Sequence, residues 1–99
     1  MKLLVSHKIG KSDAISIIKN KIHEFLTLGD EEIYNLNQHW KQDTLEFSFS
    51  SKGFNFTGET TIFDDSMSII LNLPFPLQFY ESKLRTKLEE KVSSILSQE

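Results

Sequence analysis

From Leu45 to Leu73, large apolar residues fall on alternate positions through three segments separated by turn residues. Leu45, Phe47 and Phe49, then Phe54, Phe56 and Ile62, then Met67, Ile69, Leu71 and Leu73 form one row. Glu46, Ser48, Ser50, Asn55, Thr57, Glu59, Thr61, Ser68 and Asn72 form the other. Strand side chains point alternately to opposite faces, so the pattern predicts a sheet with one dry face and one wet face. Gln42-Asp43, Ser51-Lys52-Gly53 and Asp64-Asp65-Ser66 carry the residue types of tight turns, which joins strands two to five into a meander. Gly58 falls on the inward row, where a missing side chain relieves packing, admits a helix or marks a bulge.

Upstream, Leu3, Val5 and His7 alternate with Lys2, Leu4 and Ser6, predicting a first strand that ends near Gly10. Ser12 then suits an N-cap, with Asp13 complementing the positive helix end, and Ala14, Ile15, Ile18, Ile22, Phe25 and Leu26 recur at helical spacing until Gly29. Ile33 to Lys41 reads as the second strand, with Tyr34, Leu36 and Trp40 inward and Asn35, Asn37 and His39 outward. Gln38 interrupts the inward row. Leu73-Pro74-Phe75-Pro76 ends the fifth strand, and Pro76 suits the first turn of a helix. From there Leu77, Tyr80, Leu84, Leu88, Val92, Ile95 and Leu96 make one apolar stripe.

The element order is therefore β-α-β-β-β-β-α, an α+β chain in one domain over residues 1–99. Two amphipathic helices and a one-sided sheet predict a two-layer sandwich with both helices on the same sheet face. Counting strand directions opposes the first and fifth strands, giving a five-stranded antiparallel sheet in the order 1-5-4-3-2. A parallel pairing of strands one and two through a right-handed crossover is the competing arrangement.

Composition narrows the function classes. Hydrophobic residues at 38% with eight Phe supply a core, and charged residues at 25% match an ordinary soluble protein. The absence of Cys removes disulfides and thiolate metal sites, and no stretch reads as a signal peptide or membrane span, so the expected setting is cytoplasmic. A net charge of -3 speaks against nucleic acid as a partner. The basic residues of the last helix, Lys83, Arg85, Lys87 and Lys91, are interleaved with Glu81, Glu89 and Glu90, the pattern of a solvated face.

Candidate chemistry is sparse. His7, His23 and His39 form no close-spaced pair with one another, which predicts no metal site, and no cofactor motif is present. His39 is expected opposite Glu46 across strands, as a surface contact. Asp64-Asp65 reads as turn chemistry rather than a carboxylate pair. Trp40 reads as a partly buried core aromatic. Gly-rich phosphate loops and nucleophile motifs are missing, which predicts a protein that is not an enzyme. The surplus lies in Phe75 and Phe79, which flank Pro76 and fall away from the apolar stripe. They either cap the core or, with Leu77, form an exposed patch for a partner or a hydrophobic surface. Leu4, Phe63 and Ile70 make a second candidate patch on the wet sheet face, suited to edge packing or a homodimer interface.

Several of these residues carry a family resemblance. His7-Lys8-Ile9-Gly10 before the first helix, Ala14 within it, Trp40, Asp43-Thr44-Leu45 and Phe47, Gly58 on its strand, and Leu73-Pro74 before the terminal helix resemble the bacterial polyhydroxyalkanoic acid system, or granule-region, family. That family often shows a glycine where this chain has Gln42. By topology the arrangement also resembles one half of the TATA-binding-protein fold. The family resemblance implies an association with polyhydroxyalkanoate storage and brings no catalytic residues with it. The expectation is an accessory binding protein acting on a granule surface or a protein partner. The alternative is a carrier holding a small apolar ligand between helices and sheet near Trp40 and Gly58.

Overall fold

The alternation between Leu45 and Leu73 folds as three successive antiparallel strands, and the computed structural model, which describes residues 1–27 and 32–97, sets them in a five-stranded sheet. In chain order the elements are β1 (Lys2–Ser6), α1 (Lys11–Asn20), α2 (Ile22–Leu26), β2 (Tyr34–Lys41), β3 (Thr44–Ser51), β4 (Phe54–Ile62), β5 (Ser66–Asn72), a 3-10 helix (Phe75–Tyr80) and α3 (Glu81–Leu96). The sheet order is β1-β5-β4-β3-β2, and every pairing is antiparallel. The crossover alternative, with β1 beside β2, is excluded. Inward residues of the sheet and the buried faces of α1, α2 and α3 merge into one apolar cluster, so the helices share a sheet face.

Three local departures from the sequence reading have physical causes. The first helix begins at Lys11, not after Ser12: Gly10, at φ 86, turns the chain and its carbonyl accepts the Ala14 N–H at 3.1 Å. Ser12 sits exposed in the first turn, with no side-chain cap bond there, and β1 ends at Ser6 rather than near Gly10. In β2, Tyr34 pairs with Ser50 and Asn37 with Ser48, so Asn35 and Leu36 together oppose one residue. This bulge, with Asn35 at φ 55, reverses the facing of the strand's start. Tyr34 consequently moves to the outer face and is half exposed, while Leu36 and Trp40 still pack on the core. Finally, Tyr80 falls on the same side of the 3-10 helix as Leu77, since residues three apart eclipse there, but it borders an open cleft rather than the closed core and is 58% exposed. The helix stop read at Gly29 lies outside the described residues.

Aromatic rings fill the centre of the dry face. Phe25 of α2 meets Phe47 edge to face at 6.4 Å, Phe47 stacks on Phe49 at 6.1 Å, and Phe49 on its cross-strand neighbour Phe56 at 5.0 Å. Gly58 lies directly opposite Phe47. A Cβ there would collide with the Ile70 backbone oxygen and stand 2.8 Å from Phe47 Cζ, so the ring uses the space a side chain would fill. Packing relief is thus the role of this glycine. Thr60, fully buried on the same row, satisfies its hydroxyl by donating to the Ser68 carbonyl at 2.7 Å.

Polar contacts tie the layers together at their ends. His7, buried just past β1, donates from Nε2 to the Phe63 carbonyl at 3.0 Å, and its backbone N–H donates to the Asp65 carbonyl at 2.9 Å. The β4–β5 turn is thereby held to the end of β1. At the opposite edge, Lys11 at the start of α1 pairs with Asp43 of the β2–β3 turn at 3.1 Å. That hydrogen bond and the Asp43 charge raise the Lys11 pKa above its ordinary value.

Three substitutions test these assignments by chemical denaturation. Gly58→Ala should destabilise the protein by about 1–3 kcal/mol, since the new methyl must displace the Phe47 ring or the β5 backbone. Gln42→Gly should stabilise it by about 1 kcal/mol, because Gln42 holds φ 57 in the two-residue β2–β3 turn, a conformation that glycine adopts without strain. His7→Leu should destabilise by about 1–3 kcal/mol by leaving the Phe63 carbonyl without its donor.

Candidate functional site

The sheet is longer on one side than on the other, and the functional surface arises there. Thr57 to Thr61 of β4 pair with both neighbours, whereas Phe54, Asn55 and Phe56 pair with β3 alone. The β3–β4 hairpin therefore runs on past the end of β5. At that end Leu73-Pro74 turns the chain out of the sheet, since proline has no N–H for a ladder. The 3-10 helix follows, its first turn closed by the Leu77 N–H donating to the Pro74 carbonyl at 2.9 Å, with Pro76 inside that turn.

Between the overhanging hairpin and this helical corner lies an open cleft of about 260 Å³. Leu26, Phe49, Phe54 and Phe56 line it from the α2 and sheet side, and Leu77, Tyr80 and Leu84 from the 3-10 helix and α3. Lys52, at the hairpin tip, and Lys83 and Lys87, one turn apart on α3, contribute the charged part of the lining. No carboxylate lines the cleft among the described residues. The interleaved glutamates of α3 do not neutralise these cations: Glu81 pairs with Arg85 at 3.4 Å, and none of Lys52, Lys83 and Lys87 has an ion pair among the described residues.

Phe75 and Phe79 stand on the same 3-10 helix but outside the cleft. They are 71% and 80% exposed and meet each other edge to face, with ring centroids 6.0 Å apart. Of the two roles open to them, capping the core is not the one they occupy. Leu77, between them in sequence, turns inward and is half-buried against the core.

The second candidate patch lies on the outer sheet face. Leu4, 66% exposed, pairs with Ser68, and Ile70 sits diagonally from it opposite Lys2. Phe63 lies just beyond β4, with its N–H donating to the Ser66 carbonyl. Serines 66 and 68 therefore separate Phe63 from the Leu4–Ile70 pair.

The remaining candidates are accounted for by local contacts. His39 does face Glu46 across β2 and β3, but the Glu46 carboxylate pairs with Lys41 at 3.6 Å. His23 is exposed on α2, and His7 serves the β4–β5 turn. Asp64 and Asp65 occupy that turn, with Asp65 contributing its backbone carbonyl. Trp40 is half-buried, with the Lys19 ammonium 5.0 Å from its ring centroid, a cation–π contact. The Phe47 ring packs against Gly58, and the apolar cleft is lined by neither Trp40 nor Gly58. What sequence reasoning missed is the joint presence of Lys52, Lys83 and Lys87 around aromatic residues. The basic run in α3 was its only local signal.

No helix among the described residues is long and apolar enough to cross a membrane. No curated protein and no solved structure matches the chain. The family of putative polyhydroxyalkanoic acid system proteins matches residues 1–96, nearly its full length, and the chain belongs to that family.

Proposed function

We propose that this protein is a non-enzymatic accessory of a cytoplasmic polyhydroxyalkanoate system, attaching to the polyester granule surface through its 3-10 helix. Phe75 and Phe79 make the contact, with Leu77 supporting it from behind. The observation that carries this reading is the exposure of two neighbouring phenylalanines, neither of them among the buried core residues, on one short element. Large exposed apolar side chains placed together mark a surface that meets another apolar surface. The family description, a putative polyhydroxyalkanoic acid system protein, supports a polyester as that second surface.

Magnitudes fit adhesion rather than tight binding. Burying an exposed Phe side chain contributes about 1.5–3 kcal/mol, so two rings contribute a few kcal/mol before the ordering costs of association. Such a contact is reversible for one molecule.

The test is co-sedimentation with amorphous polyhydroxybutyrate particles. The double variant Phe75→Ser/Phe79→Ser should lose at least tenfold in bound fraction while its thermal midpoint stays within about 3 °C of the parent, since neither ring is in the core. Undiminished binding by the double variant would remove the proposal. A large fall in midpoint would return both rings to the core.

A further inference from the structure

The cleft beside the 3-10 helix combines two properties that an adhesive surface does not require, an apolar trough and an unneutralised cationic rim. We propose that it binds a medium-length acyl carboxylate, with the hydrocarbon lying along Phe54, Phe56, Leu77 and Leu84 and the carboxylate held by Lys83 and Lys87, with Lys52 on the opposite side. This inference rests on the cleft alone and is independent of granule attachment.

Charge complementarity identifies the ligand's head. Lys83 and Lys87 are one helical turn apart, where like charges repel and weaken the helix. Lys91, the next residue in that register, is occupied by the Thr27 carbonyl. The two lysines nearer the cleft have no carboxylate partner among the described residues, and Lys52 brings a third positive charge from a different element. An anion placed between them relieves that repulsion. Ammonium accepts no hydrogen bond and donates three, so the matching head group is an acceptor-rich anion such as a carboxylate.

Volume identifies the tail. A cleft of about 260 Å³ takes roughly eight or nine groups the size of a water molecule at about 30 Å³ each. A chain of about eight carbons matches this. Apart from the three lysines, the only lining side chains with a hydrogen-bonding atom among the described residues are Tyr80 and Ser51, each with one hydroxyl. Two sources share this chemistry: a free fatty acid, and a hydroxyalkanoate released from, or destined for, a polyester.

The experiment is a titration of the ¹⁵N,¹³C-labelled protein followed by NMR, with octanoate, 3-hydroxyoctanoate and 1-octanol as separate probes below their aggregation limits. Octanoate should shift the resonances of Leu26, Phe54, Leu77 and Leu84, bind at least tenfold more tightly than 1-octanol, and weaken as salt rises. Lys83→Glu/Lys87→Glu, both at exposed positions, should lower octanoate affinity at least tenfold and leave 1-octanol unchanged. Leu84→Trp, which fills the trough, should abolish both. Tighter binding of 3-hydroxyoctanoate than octanoate assigns the site to polyester units, and equal affinities assign it to acyl carboxylates in general. Equal affinities for octanoate and 1-octanol, an unaffected lysine variant, or shifts confined to other surfaces would overturn the proposal. Phe75→Ser/Phe79→Ser should leave octanoate affinity unchanged, which separates a failure here from a failure of granule attachment.

Discussion

A five-stranded sheet with one dry face must be covered from one side, and the helices of this chain cover it unevenly. β3 and β4, at eight and nine residues, extend for roughly 26–30 Å, whereas β1 has five residues and β5 seven. The short strands define where the chain leaves the sheet, and the long hairpin continues past that point. Helix α3, at sixteen residues and about 24 Å, buries Leu88, Val92, Ile95 and Leu96 toward its C-terminal half. Its first two turns, with Leu84 half-buried, stand over the overhang without closing on it. Apolar surface left open at this end follows from strand lengths and from the proline that ends β5.

Both proposed activities grow from that mismatch. Pro74 precedes, and Pro76 sits inside, a tight 3-10 turn that comes before α3. That tight turn sends Leu77 inward and Phe75 and Phe79 outward, so one short element lines a cleft and presents an aromatic pair to solvent. The closed part of the core has a different logic. Phe47 over Gly58, Phe49 on Phe56 and Phe25 against Phe47 fill the space near the sheet centre, which leaves the open end as the place for a ligand.

Much of this architecture is legible along the chain because strands three to five alternate almost without interruption, and period-two patterning fixes which face is dry. Strand direction makes the antiparallel pairing of the first and fifth strands possible, and the observed β1–β5 register decides between it and the parallel crossover. Where the reading departs from the structure, the departures are short backbone events. A left-handed Asn35 inserts a bulge and flips Tyr34 outward, although the interruption at Gln38 marked that strand as irregular. Gly10 rather than Ser12 begins α1, because the turn out of β1 needs a positive φ before it needs a side-chain cap. Tyr80 keeps the side of Leu77 but stands over the open end rather than the closed core. The exposure of Phe75 and Phe79 follows from an apolar surplus visible in composition. The cationic rim was illegible, since Lys52 and the pair Lys83 and Lys87 are separated by some thirty residues and meet only through the fold.

The central claim is that the core is closed at the sheet centre and open at the β3–β4 hairpin tip. Solvent paramagnetic relaxation measured at side-chain protons, with a soluble inert nitroxide, tests it most directly. The account predicts strong relaxation at Phe75 and Phe79, intermediate relaxation at Phe54 and Leu84, and almost none at Phe25, Phe47 and Val92. Protection of Phe75, Phe79, Phe54 and Leu84 equal to that of Phe25 would contradict it, because the helical corner would then seal the end of the core.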